Sequence, residues 1–147
     1  MKIHYQNVEF IVADLNKRLP FNNGTFDKIL CKYVFMFIEK PETLLKEFKR
    51  VLKTNGVLVV SNPHPTYWFH FWLASYWNIN KREGFSDLKG YFKIKKFSFS
   101  IQGDKNLRFS FIHRPLDYYI NLFIKSGFNI DKIDESPATR EFLKKRS

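Results

Sequence analysis

Five residues of this 147-residue chain stand out by type and setting: Asp14, Cys31, His64, His113 and Arg114. Asp14 follows the apolar run Val8-Glu9-Phe10-Ile11-Val12, so it falls just past the carboxyl end of an expected strand. Ligands of α/β proteins bind at that end of a sheet. An Asp there can equally cap its own loop, and both readings stand. Cys31 closes a second apolar run. A lone Cys is more often an inert buried residue, and no His or Asn partner motif surrounds this one to make a nucleophile. His64 lies between two prolines in Asn62-Pro63-His64-Pro65, just past a third apolar run. It is placed for substrate contact or general-base work, although the prolines alone explain a rigid turn. His113-Arg114 precedes an expected helix and could grip an anionic group, because a guanidinium forks onto carboxylates. A solvated helix start is the alternative. His4 and His70 have no metal-ligand spacing, so no metal site is expected.

These residues need elements to position them. Residues 8–12 read as a short buried strand, 13–25 as a loop and Phe26 to Cys31 as a second strand. Pro41 opens a helix at a position where no amide hydrogen bond is lost. Leu44, Leu45, Phe48, Val51 and Leu52 fall on one face of it at helical spacing. Asn55-Gly56 is expected to close that helix with a left-handed glycine cap. Val57 to Val60 then reads as a strand of the kind covered on both faces in parallel sheets. Strand, strand, helix, strand in this order argues an α/β fold.

The second half differs in character. Residues 66–77 form an aromatic segment, expected to be helical, in which Tyr67 stands first among the rings. It reads as a lid over an apolar acceptor, as plain core, or as a membrane-surface helix, which would need a basic face that it lacks. Tyr91 to Ile101 and Leu107 to Ile112 alternate like two antiparallel strands turning at Gly103-Asp104. A change of parity across Lys95-Lys96 suggests a bulge. Pro115 opens a further helix with Leu116, Ile120, Phe123 and Ile124 on one face, ended by Gly127. Phe128 to Ile133 reads as a last strand, and the tail from Pro137 as loose.

Composition bounds the function classes. The length suits one domain, and 44% hydrophobic residues suffice for a core. No apolar run reaches the roughly 18 residues of a membrane span, and the first residues lack a secretory signal. One cysteine excludes a disulfide framework. A cytoplasmic protein is therefore the default. The formal charge is +11, with 10 Lys/Arg against 6 Asp/Glu in residues 1–62 and 15 against 8 in the remainder. Spread so evenly, it reads more readily as compositional drift than as a polyanion site.

Four pieces carry a resemblance: Ala13-Asp14-Leu15, Leu19-Pro20-Phe21, Thr25-Phe26-Asp27-Lys28-Ile29, and Arg50-Val51-Leu52-Lys53-Thr54-Asn55-Gly56. In this order and spacing they resemble a class I S-adenosylmethionine-dependent methyltransferase of the type 11, small-molecule kind. His113-Arg114-Pro115-Leu116, Ser126-Gly127-Phe128 and Asp134-Glu135-Ser136-Pro137 extend the likeness along the chain. It implies S-adenosylmethionine as cofactor and methyl transfer to a small molecule. Asp14 and the Leu15 backbone would then hold the adenine. Cys31, Lys32 and Tyr33 would line the methionine end, with His64, Tyr67, His113 and Arg114 on the acceptor side.

The departures from the pattern are as informative. No GxG occurs anywhere, and no strand's worth of chain for the glycine loop precedes Val8. The resemblance therefore implies a partial Rossmann-like sheet lacking its first two strands, with an inserted antiparallel hairpin. Residues 1–147 would be a single incomplete domain, with 8–62 the cofactor-side core, 63–113 a substrate-side insertion and 114–136 a terminal helix and strand. Such a chain is expected to be inactive or incomplete alone: a fragment of a longer gene, half of a split enzyme whose missing strands a protein partner supplies, or a decayed relative. Without its neighbour, the strand at 8–12 cannot dock at its usual place. Two other classes compete. One is a basic module in which Lys89, Lys93, Lys95, Lys96 and Arg108 flank aromatics that stack on nucleic acid, although these lysines interleave with apolar residues as in a half-buried hairpin. The other is a scaffold subunit partnering an active homologue.

Overall fold

The computed structural model describes residues 8–66, 88–101 and 104–135. The chain divides into two compact units, residues 1–62 with 97–112, and residues 63–96 with 113–147.

In the first unit, β1 (Phe26–Lys32) pairs in parallel with β2 (Leu52–Ser61). Between them run a turn of 3-10 helix, Phe35–Phe37, and helix α1 (Pro41–Val51). Pro41 opens α1, Glu42 lies in its first turn, and Lys49 and Arg50 lie in its last, so the charges complement the helix dipole. Pro41, Leu44, Leu45, Phe48 and Val51 are buried along one stripe. Phe35 is fully buried, its ring set edge-on to Phe48 with centroids 6.4 Å apart. Burying one such leucine or phenylalanine contributes about 1.5–3 kcal/mol.

The C-terminus of α1 departs from expectation. The helix ends at Val51, Leu52 is already extended, and Asn55-Gly56 lies within β2. Gly56 is therefore not a left-handed cap. Phe26 is paired with Leu52 but Lys28 with Val57, so residues 53–56 form an irregular stretch opposite Asp27. A Cβ on Gly56 would stand 2.8 Å from the Leu52 side chain, 3.0 Å from the Lys53 carbonyl oxygen and 3.2 Å from that of Asp27. Close backbone approach, rather than positive φ, is what requires glycine here.

Among the described residues the sheet is covered on one face, which corrects the two-sided reading of Val57 to Val60. Register partners Ile29 with Leu58 and Cys31 with Val60 lie on the more buried face. Leu30 and its partner Val59 lie on the other, Leu30 being 69% exposed, with Val57 exposed beside them. Residues 8–12 are a second correction: they form no strand, and Phe10 is 83% exposed. Among the described residues β1 and β2 pair only with each other. An apolar run with no strand edge to pair with has no ladder for its amides.

The same unit contains most of β3 (Lys95–Ile101) and β4 (Asp104–His113), which pair with each other. Phe97 stacks on Phe111 at 5.1 Å, and the Ser98 hydroxyl is 2.6 Å from that of Ser110. One number rises as the other falls, so the strands are antiparallel. β3 begins at Lys95, not at Tyr91, because Tyr91 ends the short helix α2 (Leu88–Tyr91). Phe92 and Ile94 belong to the intervening turn and are exposed, so the parity change needs no bulge. Of the expected turn at Gly103-Asp104, Asp104 already opens β4, while Gly103 and the aromatic segment from Tyr67 lie outside the described residues.

In the second unit, helix α3 (Leu116–Lys125) follows Pro115. Leu122 is its buried residue and Ile124 is exposed, so the inward face is turned from the one expected. Gly127, with φ 78°, does end it. The Gly127 amide donates to the Ile124 carbonyl and the Phe128 amide to that of Phe123, closing a Schellman motif. The Phe123 and Phe128 rings meet edge-on at 6.4 Å across it. Beyond, residues 128–133 form no strand and Ile130 and Ile133 are exposed, for the same want of a paired edge.

Candidate functional site

The loop that presents Asp14 is fastened by Arg50. Its Nε and Nη2 donate to Glu47 at 2.9 and 2.7 Å. Nη1 donates to the Phe21 carbonyl at 2.8 Å and to Asn23 Oδ1 at 3.0 Å, and Nη2 also donates to the Leu19 carbonyl at 3.1 Å. All five guanidinium N–H groups thus have acceptors. The Leu19 amide donates to the other side of the arrangement, Glu47 Oε2, at 2.8 Å. The Arg50 guanidinium holds the Glu47 carboxyl below the usual carboxylate range. Sequence reasoning had Arg50 only as part of a motif; here it ties the 19–24 loop to α1.

Asp14 is half-exposed at the start of that loop. Its Oδ1 accepts the Asn16 backbone amide at 2.9 Å and the Asn16 side-chain amide at 3.2 Å, and Lys17 lies 3.7 Å from Oδ2. These bonds, the backbone amide first, hold its carboxyl below the ordinary range. Loop capping is therefore present, and Oδ2 retains acceptor capacity toward solvent. Leu15 beside it is half-buried.

Cys31, Lys32 and Tyr33 stand together at the carboxyl end of β1. Cys31 is buried, and burial pushes its thiol up to about 11. That excludes a thiolate nucleophile at neutral pH. Lys32 is exposed, with its ammonium 5.7 Å from the Tyr33 ring centroid. Tyr33 has φ 55°, a left-handed conformation that costs a non-glycine residue about 1–2 kcal/mol. Its amide donates to the Ser61 carbonyl at 2.7 Å, which holds the turn against the end of β2. One residue on, Asn62 Oδ1 is buried without a hydrogen-bond partner. An orphaned acceptor at a strand's carboxyl end suits a ligand that brings an N–H or O–H donor.

In the second unit, His64 does not stand alone. Its Nε2 lies 2.6 Å from Glu135 Oε1, and its Nδ1 accepts the Thr66 amide at 3.3 Å. Glu135 was legible only as part of the Asp134-Glu135-Ser136-Pro137 ending, with no role attached. His113 is buried, and its Nε2 is 2.7 Å from the Tyr91 carbonyl. Burial pulls its imidazole below the ordinary value of 6.5, against the Tyr91 bond and with help from Lys95. The Tyr91 hydroxyl in turn accepts the Leu116 amide at 3.1 Å, capping α3, whose N-cap Pro115 offers no side chain. Arg114, 3% exposed, lies 5.4 Å from the Tyr118 ring centroid. It also hydrogen-bonds Tyr119, whose hydroxyl burial pushes above the usual range. So His113 and Arg114 build the start of α3 rather than a solvated helix end. Tyr67 lies outside the described residues. Among the described residues no group of three or more His, Cys, Asp or Glu could hold a metal. No helix among them is long and apolar enough to cross a membrane.

Comparison with known proteins finds similarity to methyltransferases. Residues 1–60 match the methyltransferase domain family. A rice (Oryza sativa subsp. japonica) 2-methyl-6-phytyl-1,4-hydroquinone methyltransferase 1, chloroplastic, is 29% identical over 99 residues, 60% of this chain and 30% of that protein. The human thiol S-methyltransferase TMT1B is 30% identical over 73 residues, 47% of this chain and 30% of that protein. The chain thus spans under a third of the length of these relatives. Among solved structures, one from Listeria monocytogenes, assigned as an S-adenosylmethionine-dependent methyltransferase, superposes with a TM-score of 0.70 at 20% identity. It covers 88% of this chain and 56% of that one. A Mesorhizobium loti S-adenosylmethionine-dependent methyltransferase gives 0.57 at 19% identity, over 91% of this chain and 58% of that one. The fold is therefore α/β and Rossmann-like.

Proposed function

We propose that this chain is a class I S-adenosylmethionine-dependent methyltransferase chain and takes part in methyl transfer to a small-molecule acceptor. The match of residues 1–60 to the methyltransferase domain carries the reading, because it spans both Asp14 and the Cys31–Tyr33 turn. When bound, S-adenosylmethionine supplies a methyl group on a sulfonium, an already activated leaving group. The protein's share is proximity, alignment and exclusion of water. That division of labour explains why no nucleophile or metal motif is needed.

Asp14 Oδ2 would accept the adenine amino group, with the Leu15 backbone beside it. Lys32 would meet the methionine carboxylate, while Cys31 and Tyr33 shape the turn and Asn62 Oδ1 accepts a donor there. By the resemblance, His64, Tyr67, His113 and Arg114 would serve the acceptor. Among the described residues β1 pairs with β2 alone, and with the exposed Leu30, Val57 and Val59 this supports a further reading: a protein segment or partner pairs there and supplies the glycine loop absent from this sequence. The setting would be cytoplasmic, where Cys31 stays reduced.

The test is transfer of a labelled methyl group from S-adenosylmethionine to panels of phenols, quinols and thiols by the chain, alone and with a glycine-loop homologue added. Transfer lost in Lys32→Glu and Asp14→Ala supports the reading. No transfer under either condition contradicts it.

A further inference from the structure

Residues 92–96, Phe92-Lys93-Ile94-Lys95-Lys96, lead from α2 into β3 within the second unit. They carry three lysines, and no Asp or Glu occurs from residue 88 to residue 103. All five are exposed, Phe92 at 69% and Ile94 at 56%. A single exposed apolar side chain is ordinary. Two large ones interleaved with cations of one sign are not. The turn also has a fixed base. The Tyr91 carbonyl is 2.7 Å from His113 Nε2, its hydroxyl accepts the Leu116 amide at 3.1 Å, and its ring meets that of Phe92 edge-on at 5.1 Å. The Lys93 amide donates to the Gly90 carbonyl at 3.2 Å and closes the turn. The backbone that presents Phe92 and Ile94 is thus held before any partner arrives, which lowers the ordering cost of binding.

We infer that this turn is a membrane-surface contact: Phe92 and Ile94 enter the headgroup boundary of an anionic bilayer while Lys93, Lys95 and Lys96 meet its acidic lipids. Binding of this kind grows with the apolar area buried and with attraction to anionic lipid, and holds firmly only when two such signals act together. Here both lie within five residues. Lysine suits the place, because its stem lies along apolar surface while its ammonium stays in water. A nucleic acid would use the same cations but would stack its bases on aromatic rings. Ile94 offers no ring, and that of Phe92 already meets Tyr91. The net charge of +11 draws the chain toward any anionic surface, and the turn decides which part of the second unit touches it. This role does not depend on methyl transfer.

The test is flotation of the full 147-residue chain with vesicles of phosphatidylcholine alone and of phosphatidylcholine with about a third phosphatidylserine. The chain should rise with the mixed vesicles and stay behind with the neutral ones. Phe92→Ser with Ile94→Ser leaves the charge unchanged and should weaken binding about tenfold or more. Because Phe92 touches Tyr91, Ile94→Ser alone is the second variant, with a loss of about threefold. Lys93→Ser with Lys95→Ser should lose about fivefold per lysine. Lys28→Ser with Lys46→Ser removes the same charge from exposed positions of the first unit and should lose far less. No flotation with the mixed vesicles, binding indifferent to Phe92 and Ile94, or equal losses in the two lysine pairs overturns the inference. So does capture of a single-stranded oligonucleotide in place of the vesicles.

Discussion

His64 and His113 both donate through Nε2, yet to different partners. His113 gives its proton to the Tyr91 carbonyl inside the unit, where burial depresses its basicity. His64 gives its proton to the Glu135 carboxylate at a half-exposed position. Burial keeps such an imidazole neutral, against the pull of its carbonyl acceptor, and makes it part of the scaffold. A carboxylate can compensate a positive ring and lets it take up a proton during a reaction. The same side chain is thus a building block at one end of β4 and a candidate base past the end of β2. Sequence spacing alone treated the two alike.

The largest expected effect lies on the structural side of this pair. His113→Ala leaves the Tyr91 carbonyl without its donor and opens a cavity, so it should cost about 2–4 kcal/mol in denaturant unfolding. If His113→Ala is as stable as wild type, the contrast collapses. Glu47→Ala applies the same reasoning to the first unit: it strips the Leu19 amide and Arg50 of their acceptor and should cost about 1–3 kcal/mol.

Acid should separate these two groups. A folded-state basicity below the unfolded value means that the unfolded chain binds more protons, so stability falls as pH falls. For His113 the contribution is complete above its ordinary value of 6.5 and is lost as pH drops below it. For Glu47 the loss begins only below its ordinary 4.5. Urea midpoints of wild type against His113→Gln should therefore differ in their pH slope just below 6.5 and run parallel above it. The smallest effect belongs to His64→Ala, at about 0–1 kcal/mol, as for a half-exposed polar contact. A loss as large as that of His113→Ala would make His64 structural too.

Much of the first unit was legible in the sequence. Pro41 and the stripe Leu44, Leu45, Phe48 and Val51 specified α1, because helical spacing and a first-turn proline are local signals. Gly127 likewise announced the end of α3. Strands at 8–12 and 128–133 were misread because a strand exists only with a partner, and the apolar pattern does not say whether one is present. Gly56 was misread for a related reason: its neighbours Leu52 and Asp27 come from the register of two strands, not from its own helix. In the candidate site, Tyr33 was singled out from its place after β1; Asp14 was singled out on the same ground, although residues 8–12 form no strand. Glu135 was missed as a partner, since the separation of 71 residues from His64 leaves no local trace.

Calorimetric titration of the 147-residue chain with S-adenosylhomocysteine, wild type against Asp14→Ala, tests the central claim most directly. The account predicts measurable binding, weakened about tenfold by Asp14→Ala through loss of a charge-assisted hydrogen bond. No heat of binding, or an affinity indifferent to Asp14, would contradict it.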